Sequence, residues 1–172
     1  VDGEIDYEEL FLLSRKHQIV PMVLQGLHNA VGDFEAKEKF YEYTFYLMCH
    51  NQNQTYWLDE IQKIFENNHI DYMLLKGASV KGLYPTAEMR LMGDIDILIK
   101  EEQYPEIKNL LSQAGLQEIM VTDHELIWKG ENGVQIELHR KLIPSYNDDY
   151  YAYYCKPWEK AVLKEGNRYA MS

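Results

Sequence analysis

Leu91-Met92-Gly93-Asp94-Ile95-Asp96-Ile97-Leu98-Ile99 is the stretch that decides the fold. Isoleucines at 95, 97 and 99 alternate with other residues, the period of a strand with one face in a core. The same alternation sends Asp94 and Asp96 to the other face, side by side. Two carboxylates roughly 5 to 6 Å apart repel by about 3 kcal/mol at an effective dielectric near 20, a cost that a purely structural strand has no reason to carry. A divalent cation reverses that sign, and magnesium prefers oxygen donors of this kind.

Working outward, Val134-Gln135-Ile136-Glu137-Leu138-His139 alternates in the same way and places Glu137 on a polar strand face with Gln135 and His139. If that strand neighbours the first, Glu137 completes a three-carboxylate site able to hold two ions during phosphoryl transfer. On the other side lies Leu74-Leu75-Lys76-Gly77-Ala78-Ser79, a strand running into a glycine turn and a helix start, where backbone N–H groups favour phosphate. Lys76, Lys81 and Arg90 supply positive charge near that turn, and Ser79 a hydroxyl.

Around these segments the predicted order is β-α-β-α-β-β-β. Strands are expected over 72–76, 94–99, 117–122, 125–129 and 134–142, helices over 77–84 and 104–114, and a tight turn at Glu131, Asn132 and Gly133. Before residue 68 the chain reads as helical. Asp6 and Glu9 form a capping box, Pro21 suits a first turn, Gly32 a stop, and residues 34 to 67 lack Pro and Gly, as one long amphipathic helix requires. Three regions are expected: a helical part, 1–68, packed on a catalytic core, 69–145, and an aromatic-rich segment, 146–172, that opens a further element. Tyr146 to Tyr154 reads as packing surface.

With 46% hydrophobic and 13% aromatic residues in 172, the chain has the material for a packed core and is not a disordered composition. A net charge of −11 disfavours long nucleic acid as partner, whereas a nucleoside triphosphate can be bridged by metal. Cys49 and Cys155 stand far apart, fit no metal-ligand spacing and read as buried free thiols. No apolar run is long enough for a membrane span, so the expected location is cytoplasmic. An EF-hand beginning at Asp94 fails at Leu98 and Pro105, and a Walker loop beginning at Gly77 fails at Leu83-Tyr84.

Taken together, Leu74-Leu75-Lys76-Gly77-Ala78, Leu83-Tyr84-Pro85, Arg90-Leu91-Met92-Gly93-Asp94-Ile95-Asp96 and Ile136-Glu137-Leu138-His139 resemble an uncharacterised bacterial nucleotidyltransferase family of the DNA polymerase beta-like superfamily, over roughly residues 4 to 144. The resemblance implies an α/β (α+β) fold with a mixed sheet preceded by helices, and transfer of a nucleoside monophosphate from a triphosphate, ATP expected, to an acceptor hydroxyl with release of pyrophosphate. It implies that Asp94 and Asp96 bridge two Mg2+ ions, with Mn2+ an alternative, and that Glu137 holds the ion that activates the acceptor. Lys76, Gly77, Ala78, Ser79, Arg90 and Gly93 form the expected nucleotide-binding set, with His139 and Lys81 as further candidates. The superfamily's turn commonly reads Gly-Ser or Gly-Gly; Ala78 departs from it and favours the alternative of a non-catalytic nucleotide-binding module.

Overall fold

The computed structural model describes residues 5–80, 83, 84, 86, 89 and 92–171. The chain forms two compact units, one from Val1–Gln52 and Lys81–Leu91, the other from Asn53–Val80 and Met92–Ser172.

In the first unit, α1 (Tyr7–Lys16) begins where the Asp6 carboxylate accepts a hydrogen bond from the Glu9 amide at 2.9 Å. This cap satisfies one of the orphan N–H groups of the first turn. Pro21 sits in the first turn of α2 (Val20–Ala30), and Gly32 follows with φ 81°, a backbone conformation glycine adopts without strain. Val20, Leu24 and Leu27 pack with Phe40 of α3 (Lys37–Asn67), ringed by Phe11, Phe34 and Tyr43. The 31 residues of α3 run on into the second unit, where Trp57, Ile61 and Phe65 enter a different core. Phe40, Leu47, Gln54 and Ile61 recur at seven-residue intervals, and all four are buried.

The second unit is built on a seven-stranded mixed sheet in the order β3-β4-β5-β2-β1-β7-β6. Its strands are β1 (Tyr72–Leu74), β2 (Ile95–Ile99), β3 (Gln117–Val121), β4 (Glu125–Lys129), β5 (Gln135–His139), β6 (Ala161–Glu165) and β7 (Arg168–Met171). α4 (Lys76–Val80) lies between β1 and β2, α5 (Tyr104–Gln113) between β2 and β3, and α6 (Asp148–Tyr154) before β6. The isoleucines at 95, 97 and 99, with Ile136, Leu138, Leu126 and Trp128, face a core shared with α3 and with Ile107 and Leu111 of α5. Strand alternation therefore assigns Asp96, Glu137 and His139 to the opposite face.

Several expectations change. The first strand ends at Leu74 rather than at residue 76, because Lys76 has φ 41°, which breaks the extended chain. The segment after residue 146 contributes two strands to the same sheet, β7 running parallel to β1. Tyr146, Tyr150 and Tyr153 are exposed rather than packed inward, since α6 is one short helix with no buried residue. Cys49 and Cys155 are also exposed, one on an outward face of α3 and the other capping α6. No described helix is long and apolar enough to cross a membrane.

A polar clamp fixes the strand ends. Asp71 accepts from Lys100 Nζ at 2.6 Å and from Asn167 Nδ2 at 3.1 Å, joining the start of β1, the end of β2 and the β6–β7 turn. Glu66 of α3 accepts from the Asn167 amide, and Gly166 beside it has φ 53° and lies so close to the Glu66 carboxylate that a Cβ would collide with it. Burial opposes the charge of Asp71, but the bonds from Lys100 and Asn167 outweigh it and hold its carboxyl below the ordinary value. A depressed folded pKa stabilises above the unfolded value of about 3.9, and that contribution is lost as pH falls through the folded one. Asp71→Asn is therefore expected to lower the melting temperature at pH 7, with the difference narrowing as pH falls below about 4, read by thermal denaturation across pH.

Candidate functional site

β2 and β5 are parallel neighbours, with Asp96 paired opposite Glu137 and Leu98 opposite His139. This register gathers the acids on the sheet face turned away from the core. Ligand atoms of Asp96, Glu137 and His139 all lie within 4.8 Å of one another. Asp94 sits in the bend just before β2 instead of within the strand, where the charges of Asp96 and Glu137 act on its carboxyl. The structure thus brings Asp96, Glu137 and His139 together, while Asp94 lies outside that cluster, two residues before Asp96.

Each oxygen has a distinct environment. Asp96, only 2% exposed, accepts at Oδ1 from Lys76 Nζ at 2.6 Å and from His139 Nε2 at 2.8 Å. Donation from Nε2 requires the tautomer with its proton there, so His139 orients Asp96 and does not offer that nitrogen to a cation. Glu137 accepts at Oε1 from Gln135 Nε2 at 2.9 Å, while Oε2 stands 3.8 Å from His139. Burial works against the charge of Asp96, yet the bonds from His139 and Lys76 hold its carboxyl below the usual range. Asp94 moves the other way. Burial, the charges of Asp96 and Glu137, and the hydrogen bond with Asp96 push it up to about 6, with Lys76 opposing only in part.

That rise comes first from burial and then from the neighbouring carboxylates, both of which disfavour a charge on Asp94. A proton on Asp94 relieves it, and so would a divalent cation. The clustered ligand atoms of Asp96, Glu137 and His139, mostly oxygen, could hold a divalent cation.

The backbone around the acids is fixed from two directions. Gln54, buried in α3, donates from Nε2 to the Met92 carbonyl at 2.9 Å, two residues before Asp94. Gly77 packs on the Met92 side chain, where a Cβ would stand 2.7 Å from Cγ, so only glycine fits. The Leu75 amide donates to the Asp96 carbonyl at 3.0 Å, tying the turn after β1 to β2. Sequence reasoning missed both Gln54 and Gln135. Gln54 is the one polar member of the seven-residue series on α3, and Gln135 lies two residues before Glu137 on the same strand face; both signals were in the chain.

Of the other expected residues, Lys76 is exposed at the start of α4, while Ala78 and Ser79 lie within it. The Ser79 hydroxyl donates to the Lys76 carbonyl at 2.8 Å. Gly93 is exposed, with open space beside its Cα. Arg90 and Lys81 lie outside the described residues. A groove of about 580 Å³ elsewhere is lined by Gln62, Glu66, Tyr72 and Arg168 among others, with Glu66 bonded to Tyr72 and Asn167 and Arg168 to Glu165.

No curated protein matches the chain. Among solved structures, the crystal structure of ANT(2")-Ia in complex with adenylyl-2"-tobramycin superposes with a TM-score of 0.51 at 13% identity, covering 70% of each chain. At that identity the likeness shows the fold, that of the polymerase beta-like nucleotidyltransferases, with its mixed sheet and helices before it. Residues 3–172 match the model of the family described as uncharacterised nucleotidyltransferase, and the chain belongs to that family of transferase enzymes.

Proposed function

We propose that the protein moves a nucleoside monophosphate from a nucleoside triphosphate, with ATP the expected donor, to an acceptor hydroxyl. The acceptor oxygen forms a bond to the α-phosphorus as the bond to the bridging oxygen breaks, and pyrophosphate leaves with the electron pair. The hydroxyl proton leaves to solvent. Asp94, Asp96 and Glu137, the last through Oε2, the oxygen not engaged by Gln135, would hold two magnesium ions, or manganese in their place. When bound, these would neutralise charge on the phosphates and make the acceptor hydroxyl easier to deprotonate.

The remaining work falls to the chain's own groups. His139 fixes the rotamer of Asp96, Gln135 that of Glu137, and Gln54 the loop that presents Asp94. Lys76, with the turn at Gly77, Ala78 and Ser79 and with Gly93 and Arg90, contacts the phosphates. The observation that carries this reading is the cluster of Asp96 and Glu137, on two parallel strands, with His139, and with Asp94 in the bend just before β2.

Ala78, where the superfamily's turn usually has serine or glycine, favours a second reading in which the scaffold binds nucleotide without turning it over. Pyrophosphate release separates the two. Purified protein incubated with each of the four triphosphates, magnesium and a pool of hydroxyl-bearing acceptors should release pyrophosphate, and chelation should stop it. Nucleotide binding without any release across those donors and acceptors would favour the binding module.

A further inference from the structure

The ion pair between Lys76 and Asp96 is asymmetric. The Asp96 side chain is 2% exposed, whereas that of Lys76 is 60% exposed, with Nζ 2.6 Å from Oδ1. A buried carboxylate needs a partner, because an uncompensated charge away from water is costly. The lysine has no such need, since its ammonium is well solvated wherever its flexible four-carbon stem swings. Lys76 is also a non-glycine residue at φ 41°, in the left-handed region that side chains avoid. The turn tolerates that strain at the residue whose side chain reaches the acids, and strain of this kind concentrates at functional sites.

Asp94 and Glu137 also face Lys76 electrostatically, so its ammonium is the cation that three carboxylates share. We infer that Lys76 is the site's resident cation, displaced from Asp96 by the incoming divalent ion and then captured by the phosphates of the nucleotide, so that metal and nucleotide binding are coupled. This rests on the nucleotidyl-transfer reading and adds to it an order of events. Without metal, Lys76 is held by Asp96 and gives the nucleotide nothing. Once the carboxylates are engaged by the metal, the only new anion within reach is the one the substrate brings. Coupling of this kind is reciprocal, and values of roughly 5- to 150-fold are usual.

Two titrations of Lys76→Met, which keeps most of the stem and loses the charge, test the inference. Manganese alone, followed by electron paramagnetic resonance, should bind the variant about 10-fold more tightly than it binds wild type, because no ammonium competes. A fluorescent non-hydrolysable triphosphate should bind variant and wild type equally in EDTA, but the variant about 10-fold more weakly with magnesium. A merely structural role, or a lysine permanently on phosphate, would shift affinity in both conditions. Lys76→Ala serves in the same way if the methionine variant does not fold. Manganese binding no tighter in the charge-free variant than in wild type overturns the inference. Asp94→Asn separates that failure from a deeper one, since undiminished manganese binding in Asp94→Asn would remove the carboxylate site itself.

Discussion

Asp94→Asn abolishes magnesium-dependent turnover and at the same time raises the melting temperature of the metal-free protein. The loss follows from removing one of three anionic ligands, for which a fall in kcat of about three orders of magnitude is the expected scale. The gain follows from the pKa. Burial and the neighbouring charges of Asp96 and Glu137 push Asp94 up to about 6, above its unfolded value, so its ionised form destabilises the fold. A raised carboxyl pKa costs stability above the folded value and costs nothing below the unfolded value of about 3.9. In EDTA at pH 7 to 8 the asparagine variant should therefore melt higher than wild type by about 2 to 6 °C, and the difference should vanish near pH 4. Differential scanning calorimetry at the two pH values checks the stability half, and pyrophosphate release checks the catalytic half. A variant that loses activity because it is unfolded would contradict the account, as would one that keeps full turnover.

Gln54→Leu lowers kcat by about 10- to 100-fold, the usual cost of losing a partner that orients a catalytic ligand. Leucine matches glutamine in size and suits the buried series of Phe40, Leu47 and Ile61, so the helix itself should hold. What disappears is the bond to the Met92 carbonyl, which is left buried without its donor two residues from Asp94. The KM for nucleotide should move little, because Gln54 touches neither the glycine turn nor Lys76. Rescue in Gln54→Glu at mildly acidic pH, where a protonated carboxyl can donate to the same carbonyl, distinguishes a positioning bond from simple packing. Unchanged kcat in Gln54→Leu would show that the loop holds its place without that bond.

The placement of Asp96 and Glu137 was legible because strand alternation is local: Ile95, Ile97 and Ile99 on one side force Asp96 to the other, and Val134, Ile136 and Leu138 do the same for Glu137. Their pairing was a conditional statement in the sequence, since parallel contact between β2 and β5 spans some forty residues of chain and no local signal encodes it. The long helix was legible from the absence of Pro and Gly. β6 and β7 were not, because both are short and carry no buried apolar face: β6 is a largely exposed edge strand, and half-buried β7 takes its place from pairing with the distant β1. Lys76 illustrates a different limit. Its charge was visible in the sequence, but the left-handed turn that aims it at Asp96 is a property of the packed Gly77–Met92 contact and the β2 strand beside it.

On the proposed mechanism, Asp94, Asp96 and Glu137 together would hold the catalytic cation. Crystals grown with manganese and a non-hydrolysable triphosphate, measured at the manganese absorption edge, test it most directly. The account predicts anomalous peaks bounded by those three carboxylates, with Lys76 turned from Asp96 toward phosphate. Manganese sited away from the Asp96 and Glu137 strands, with the triphosphate bound elsewhere, would contradict it.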